Sequence, residues 1–276
     1  MKDWQGRIDG LLSRAEGQWG IAIEEILPEG VQREPWRFER RAHEPFTAAS
    51  VIKVPIMVAA FEAAARGRLR LSQKILLRKE DQVLGSGVLH SLETGRPYSL
   101  YDLITLMIIV SDNTATNLVI REVGTSFIQE VMAAYGMTGS RFHNPLMVIP
   151  ADSPGPNQVT AADMVKLYGA IARGKAVSWD ASRRMVEILS AQQFTDGIGG
   201  CLPRHEGPVG SLPTWRIATK SGQITGHVHD TGLLFLPGRT LALAFLSRGI
   251  HDPLRAKRFI ADAVRALYDA HMALAG

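Results

Sequence analysis

Ser50 and Lys53 stand three residues apart in Ser50-Val51-Ile52-Lys53, so on a helix a hydroxyl and an amine share one face, one turn from each other. A hydroxyl attacks when a base takes its proton, and a lysine becomes that base when its surroundings hold it neutral. Alone the pair says little, because background composition places a Ser three before a Lys roughly once in a chain of this size. Pro55 adds position. Proline is tolerated only in the first helical turn, so Ser50 falls at a helix start, where free amides and the positive end of the dipole can stabilise an oxyanion. Two further clusters carry polar chemistry. Ser111-Asp112-Asn113 follows the apolar run Leu103 to Val110 and opens another helical pattern; by itself it reads as an N-cap. Lys220-Ser221-Gly222 ends a strand pattern, with Gly226 soon after, and by itself reads as a strand end with a basic residue.

The elements that must position these residues follow from hydrophobic period. Trp4 to Ala15 predicts an amphipathic helix, followed by strands over Gly20 to Leu27 and Trp36 to Arg41. The middle is helical. Phe46 to Arg66 closes at Gly67, and Tyr98 to Val110, Thr114 to Val123 and Ser126 to Tyr135 follow. A stretch rich in Pro, Gly and Asn runs from Gly136 to Thr160, longer than an ordinary connection. Helices resume at Ala161 to Ala172 and Asp180 to Gln192, and Gly197 to Pro213 reads as irregular. Strands are then expected over Arg216 to Lys220, His227 to Leu236 and Thr240 to Arg248, the last two joined by Pro237-Gly238-Arg239. A final helix spans Pro253 to Ala273. Strands at both ends around a helical middle predict an α+β fold with one antiparallel sheet flanked by helices.

Composition bounds the function. The chain has 276 residues, 46% hydrophobic and 21% charged, which is globular and leaves room for one large domain or two packed lobes. Its longest apolar runs, Val54 to Phe61 and Leu103 to Val110, fall far short of the ~18 residues that span a bilayer, so no membrane partner is expected. The first twenty residues lack the apolar core of a secretory signal. A cytoplasmic chain is therefore expected, although a secreted one stripped of its leader would read the same way. Lysines and arginines number 31 against 27 acids, and the basic stretches Arg66 to Arg70 and Arg255 to Arg258 interleave with apolar residues, so no nucleic-acid partner is expected. The single Cys201 makes no disulfide framework. His227 and His229 share a strand face without a third ligand at recognisable spacing, and no metal or other cofactor is expected.

Taken together the three clusters mean more than each alone. S-x-x-K, S-D-N and K-T-G, in that order, are the signature set of class A β-lactamases and penicillin-binding proteins, and this chain carries all three with Ser221 in place of the threonine. The segments LITLMIIVSDNTATNLVI, GSGVL at Gly85 to Leu89 and KSGQITGHVHDTGLL extend the likeness. The chain resembles the class A β-lactamase-related serine hydrolases over roughly residues 15 to 270. That resemblance implies a β-lactamase/transpeptidase-like unit over 1–276, with an α/β lobe at about 1–45 and 205–276, a helical lobe at about 46–204 and the active site between them.

It also implies roles. Ser50 is the acylated nucleophile and Lys53 helps remove its proton. Ser111 passes a proton to the leaving atom, and Asn113 holds Lys53 and the acyl side chain. Lys220 and Ser221 hold a substrate carboxylate, with Gly222 beside them, and the N–H groups of Ser50 and Gln223 form an oxyanion hole. One departure stands out. The glutamate that class A β-lactamases carry in the long loop is absent from SRFHNPLMVIPADSPGPNQVT, and its position aligns near Leu146 or Met147. His143, Asp152 and His229 are candidate substitutes as base. His143 reads equally as a solvated loop residue, and His229 either as a group that binds a carboxylate in place of an arginine or as a strand-end residue packed on the last helix. The expected function is a hydrolase that forms an acyl-enzyme with β-lactams and releases it slowly, acting as a monomer on a small molecule. Two alternatives stand beside it: a peptidase or esterase for small amides, esters or D-amino-acid peptides, and a non-catalytic binding protein.

Overall fold

A computed structural model describes residues 3–147, 155–208 and 211–275. Asp3 caps α1 (Trp4–Leu12) by accepting from Gly6 N at 2.8 Å, and the chain enters β1 (Gln18–Glu25) and β2 (Arg37–Arg40). The two-residue β3 (Phe46–Thr47) and a 3₁₀ turn over Ala49–Ile52 lead into α2 (Lys53–Ala65). The short pair β4 (Lys74–Leu76) and β5 (Pro97–Ser99) precedes three helices, α3 (Leu100–Ile109), α4 (Asn113–Val123) and α5 (Thr125–Ala134). Then come β6 (Gln158–Val159), α6 (Ala161–Ala172) and α7 (Trp179–Ser190), and the chain closes with β7 (Arg216–Ile224), β8 (His227–Leu236), β9 (Arg239–Arg248) and α8 (Pro253–Ala275).

The main sheet has the order β2-β1-β9-β8-β7, every pair antiparallel. The first strands of the chain therefore pair with the last, β1 against β9 from Gln18↔Arg248 to Glu25↔Leu241. Successive strand residues face opposite sides, and both sides are covered. Ala22, Ala218, Ala242 and Ala244 face the core shared with α2 to α7, where small side chains let helices approach. Ile21, Ile217, Leu243 and Phe245 face a second core closed by α1 and by Ile260, Val264 and Leu267 of α8. Two-sided burial is why these strands read as continuous apolar runs. In the helical part, α2 is buried on nearly every side from Lys53 to Phe61, as an interior helix must be when it is apolar all round.

Two expectations are corrected. The helix expected from Phe46 begins at Lys53, because Phe46 and Thr47 pair with Val159 and Gln158, and Ala49 takes φ +43°, outside the right-handed helical region. The strand expected to end at Lys220 runs on to Ile224, since β8 pairs with it as far as Ile224↔His227 across a two-residue turn. Lys220-Ser221-Gly222 therefore lies inside a strand.

Candidate active site

Four segments bring the three clusters together. The 3₁₀ turn at Ala49–Ile52 has three residues per turn, so Ser50 and Lys53 align on one side. Helix α4 begins at Asn113 with Asp112 as its cap: Oδ1 accepts from Ala115 N at 2.8 Å. Oδ2 of the same carboxylate accepts from Val88 N and Leu89 N at 2.6 and 2.8 Å, and Asn113 N donates to Ser86 O at 3.0 Å. The capping reading of this tripeptide thus holds for Asp112, which also ties the GSGVL segment beside the site. Its neighbours are left to face inward.

Lys53 is the hub. Its fully buried Nζ contacts Ser111 O at 2.6 Å, Ser111 Oγ at 3.0 Å and Asn113 Oδ1 at 2.9 Å. Burial, and then the charge of Lys220, holds its pKa well below the ordinary lysine range, with Asp112 acting in the opposite sense. Ser111 reaches this place with φ +56°, and Ala49, next to Ser50, also has positive φ; strained backbone of this kind gathers at functional sites.

Strand β7 closes the other side. A Cβ on Gly222 would lie 2.9 Å from Ser50 N and 3.1 Å from Val51 N, so only glycine lets the strand come this near the helix start. Lys220 is fully buried, and burial brings it down to about 7; its Nζ donates to Ser221 O at 2.6 Å. Ser50, Ser111, Ser221, Gly222 and Gln223 line a cleft of about 770 Å³ that continues past the β7–β8 turn to the start of α8. Three hydroxyls thus face the cleft, backed by two buried lysines.

His229 also borders the cleft but does not have the freedom expected of it. Nε2 lies 2.8 Å from Thr47 O, and Nδ1 accepts from Ser247 N at 3.0 Å. Burial takes its pKa to about 4, so the ring is neutral and both nitrogens are engaged in the fold. Its expected service to a substrate carboxylate is corrected on that ground. The other proposed bases fare differently. His143 anchors its segment by donating from its backbone N to Asn157 Oδ1 at 2.6 Å and does not line the cleft, and Asp152 lies outside the described residues. Leu146 is clamped to Asn117, which donates to its carbonyl and accepts from its N–H, both at 2.8 Å, and Met147 is exposed. Gly197 and Lys257 border the cleft without a sequence signal, and Asp230, the neighbour of His229 on β8, borders it too.

This architecture defines a β-lactamase/transpeptidase-like protein. A β-lactamase structure from Sphaerobacter thermophilus superposes with TM-score 0.86 at 33% identity over 97% of each chain, and a structure of PBP-A with TM-score 0.82 at 26% identity over 99% of this chain and 97% of that one. A further PBP-A structure, of a leucine-to-glutamate variant in acyl-enzyme complex with penicillin G, matches with TM-score 0.81 at 25% identity over 99% of this chain and 97% of that one. Among curated proteins, a β-lactamase of Streptomyces albus G is 27% identical over 82% of this chain and 73% of its own length. Residues 4–271 match the β-lactamase enzyme family, and the chain belongs to it. It is a hydrolase of the β-lactamase-like kind.

Proposed function

We propose that this protein is a serine hydrolase that forms an acyl-enzyme on Ser50, reacts with β-lactams and deacylates them slowly. The observation that carries this is the buried Lys53 amine held against Ser111 and Asn113, one 3₁₀ turn from a cleft-lining Ser50. Neutral Lys53 accepts the Ser50 hydroxyl proton as Oγ bonds to the substrate carbonyl carbon. The oxyanion faces the N–H groups of Ser50 and Gln223. Collapse breaks the carbon–nitrogen bond, the nitrogen takes a proton from Ser111, and Ser111 is reprotonated from Lys53. Ser221 receives the substrate carboxylate at the cleft surface, with the Lys220 charge behind it.

Hydrolysis of the resulting ester needs an activated water. Leu146 and Met147 supply no carboxylate where the loop comes against α4, and a missing general base costs ~10² to 10⁴ in rate. The likeness to PBP-A, known as an acyl-enzyme complex with penicillin G in its leucine-to-glutamate variant, supports this reading. A second reading, hydrolysis of peptides or esters for which β-lactams are mimics, is favoured by the length of the cleft, which extends beyond the hairpin to His251 and Lys257. The test is intact-protein mass spectrometry after mixing with benzylpenicillin, with Ser50→Ala alongside. A persistent adduct in the parent chain that is absent from the variant is expected. An adduct that survives the substitution sinks the assignment, rapid turnover removes the slow-release part, and no adduct turns the case to D-Ala-D-Ala peptides and p-nitrophenyl esters.

A further inference from the structure

Acylation at Ser50 leaves His229 without a part, although its ring borders the cleft, is only 1% exposed and bonds through both nitrogens. Those bonds fix its hydrogen. Nδ1 lies 3.0 Å from Ser247 N, a main-chain N–H that can only donate, so Nδ1 presents the lone pair and the one hydrogen of the neutral ring is on Nε2. That hydrogen points at Thr47 O, 2.8 Å away, an oxygen that can only accept. Backbone geometry explains why both groups need the ring. The register of β8 with β9 reaches Asp230↔Phe245; beyond it the Ser247 side chain takes over, Oγ accepting from Val228 N at 2.9 Å and donating to Val228 O at 2.6 Å, and the Ser247 N–H goes to His229. On β3, successive backbone groups point opposite ways. Ala48 N donates to Asn157 O at 2.8 Å, so the Thr47 carbonyl faces away from β6 and finds its donor on β8.

We propose that His229 is a positioning residue for the nucleophile: its Nε2–H, kept in that tautomer by Ser247 N–H, holds the Thr47 carbonyl and with it the short segment that carries Ser50 into the cleft. The kinetic half rests on the acyl-enzyme reading; the structural half concerns the protein alone. Only Ala48 and Ala49 separate Thr47 from Ser50, and Ala49 is held at φ +43°, so a shift at the Thr47 carbonyl passes straight to the hydroxyl. The segment is gripped on three sides: Asn157 O takes Ala48 N, Gly222 comes against Ser50 N, and His229 takes Thr47 O. His229 is the one grip of the three made by a side chain. Burial, which takes its pKa to about 4, keeps the ring in the neutral form that these bonds require.

His229→Gln and His229→Asn separate the two bonds. A glutamine amide nitrogen reaches the place from which Nε2 donates, whereas an asparagine oxygen stands where Nδ1 accepts and its side chain stops short of Thr47. The glutamine variant is expected to acylate within about threefold of the parent. The asparagine variant is expected to fall by about tenfold or more on benzylpenicillin and on the uncharged p-nitrophenyl acetate alike, with the concentration for half-maximal rate unchanged. A loss on benzylpenicillin alone would return His229 to carboxylate binding, and rates that follow the melting temperature across both variants would make it a packing residue; either overturns the proposal. If the asparagine variant does not fold, the glutamine variant decides alone: a loss of about tenfold in a folded chain that keeps the Thr47 donor overturns the proposal. Amide hydrogen exchange by NMR reads the segment without substrate. Ala48 and Val51, bonded to Asn157 O and Ala48 O, are expected to exchange about tenfold faster or more in the asparagine variant and at the parent rate in the glutamine one; equal exchange in all three chains overturns the proposal. If neither compound acylates the parent chain, the acyl-enzyme reading falls, and the exchange rates still decide the role of His229.

Discussion

Lys53 Nζ has three oxygen neighbours and no solvent, so its protonation state decides what it can do. As an ammonium it donates to all three; as an amine it keeps two donors and turns a lone pair toward a hydroxyl proton. Being held well below the ordinary lysine range, it loses its proton at a pH where an exposed lysine would keep it. Acylation by an uncharged ester should therefore rise as pH increases through the Lys53 transition and then level off. Benzylpenicillin should rise likewise and then decline above about 7, where Lys220 loses the charge that its carboxylate needs. Acylation rates over about pH 5 to 9 check this, and superimposable profiles for the two compounds contradict it. Lys53→Met fills the same buried space without a base and should slow acylation by ~10² to 10⁴ while leaving the melting temperature near that of the parent.

At the scale of elements, the site depends on β7 lying against the start of α2. Gly222→Ala puts a methyl carbon 2.9 Å from the Ser50 backbone nitrogen, a contact with main chain that no side-chain rotation relieves. The strand must back away, and acylation by ester and β-lactam alike should fall by ~10²; an unchanged rate would show that the strand's approach is immaterial. A second contact holds the far edge of the sheet. Glu25, buried at the end of β1, accepts from Arg33, from Arg239 at 2.7 Å and from Trp36 N at 3.1 Å. Burial works to raise its pKa, but these donors bring it from 4.5 to about 2. A depressed carboxyl stabilises the fold above its unfolded value and ceases to do so as pH falls from 4.5 towards 2. Glu25→Ala should cost about 2 kcal/mol and flatten this acid-side loss, read by thermal melts at several pH values. What sequence made legible here was local. Ala161–Ala172 and His227–Leu236 occupy their expected bounds because helical period in the first, and in the second the apolar stretch Leu233–Leu236 running into the Pro237-Gly238 turn, are carried by the segment itself. Pro55 located the start of α2 near Ser50, whereas hydrophobic period carried the helix back to Phe46; that Phe46 and Thr47 instead meet a strand more than a hundred residues away is not local information. The same holds for His229, engaged by Thr47 and Ser247 from two other strands.

The whole molecule joins two cores through one sheet, and its cleft lies where β7 meets the helical part, so on the proposed acyl-enzyme reading acylation and release draw on different pieces. Acylation uses α2, α4 and β7, which are fixed to one another by Asp112, Lys53 and the close approach of Gly222. On that reading, release depends on a group contributed near Leu146. Its described flank is well anchored: Asn157 Oδ1 accepts from His143 N and Asn144 N, and Asn117 of α4 grips both backbone groups of Leu146. That grip holds residue 146 against α4, one turn beyond Asn113, at the place where the likeness aligns the missing glutamate. Leu146→Glu should therefore shorten the lifetime of the benzylpenicillin adduct by about tenfold or more, less than a fully evolved base would give, while the rate of adduct formation stays within about threefold. Time-resolved intact mass spectrometry separates the two steps. Faster loss of the adduct with unchanged formation identifies the missing carboxylate as the barrier to turnover; an adduct as long-lived as the parent's would place that barrier elsewhere in the cleft.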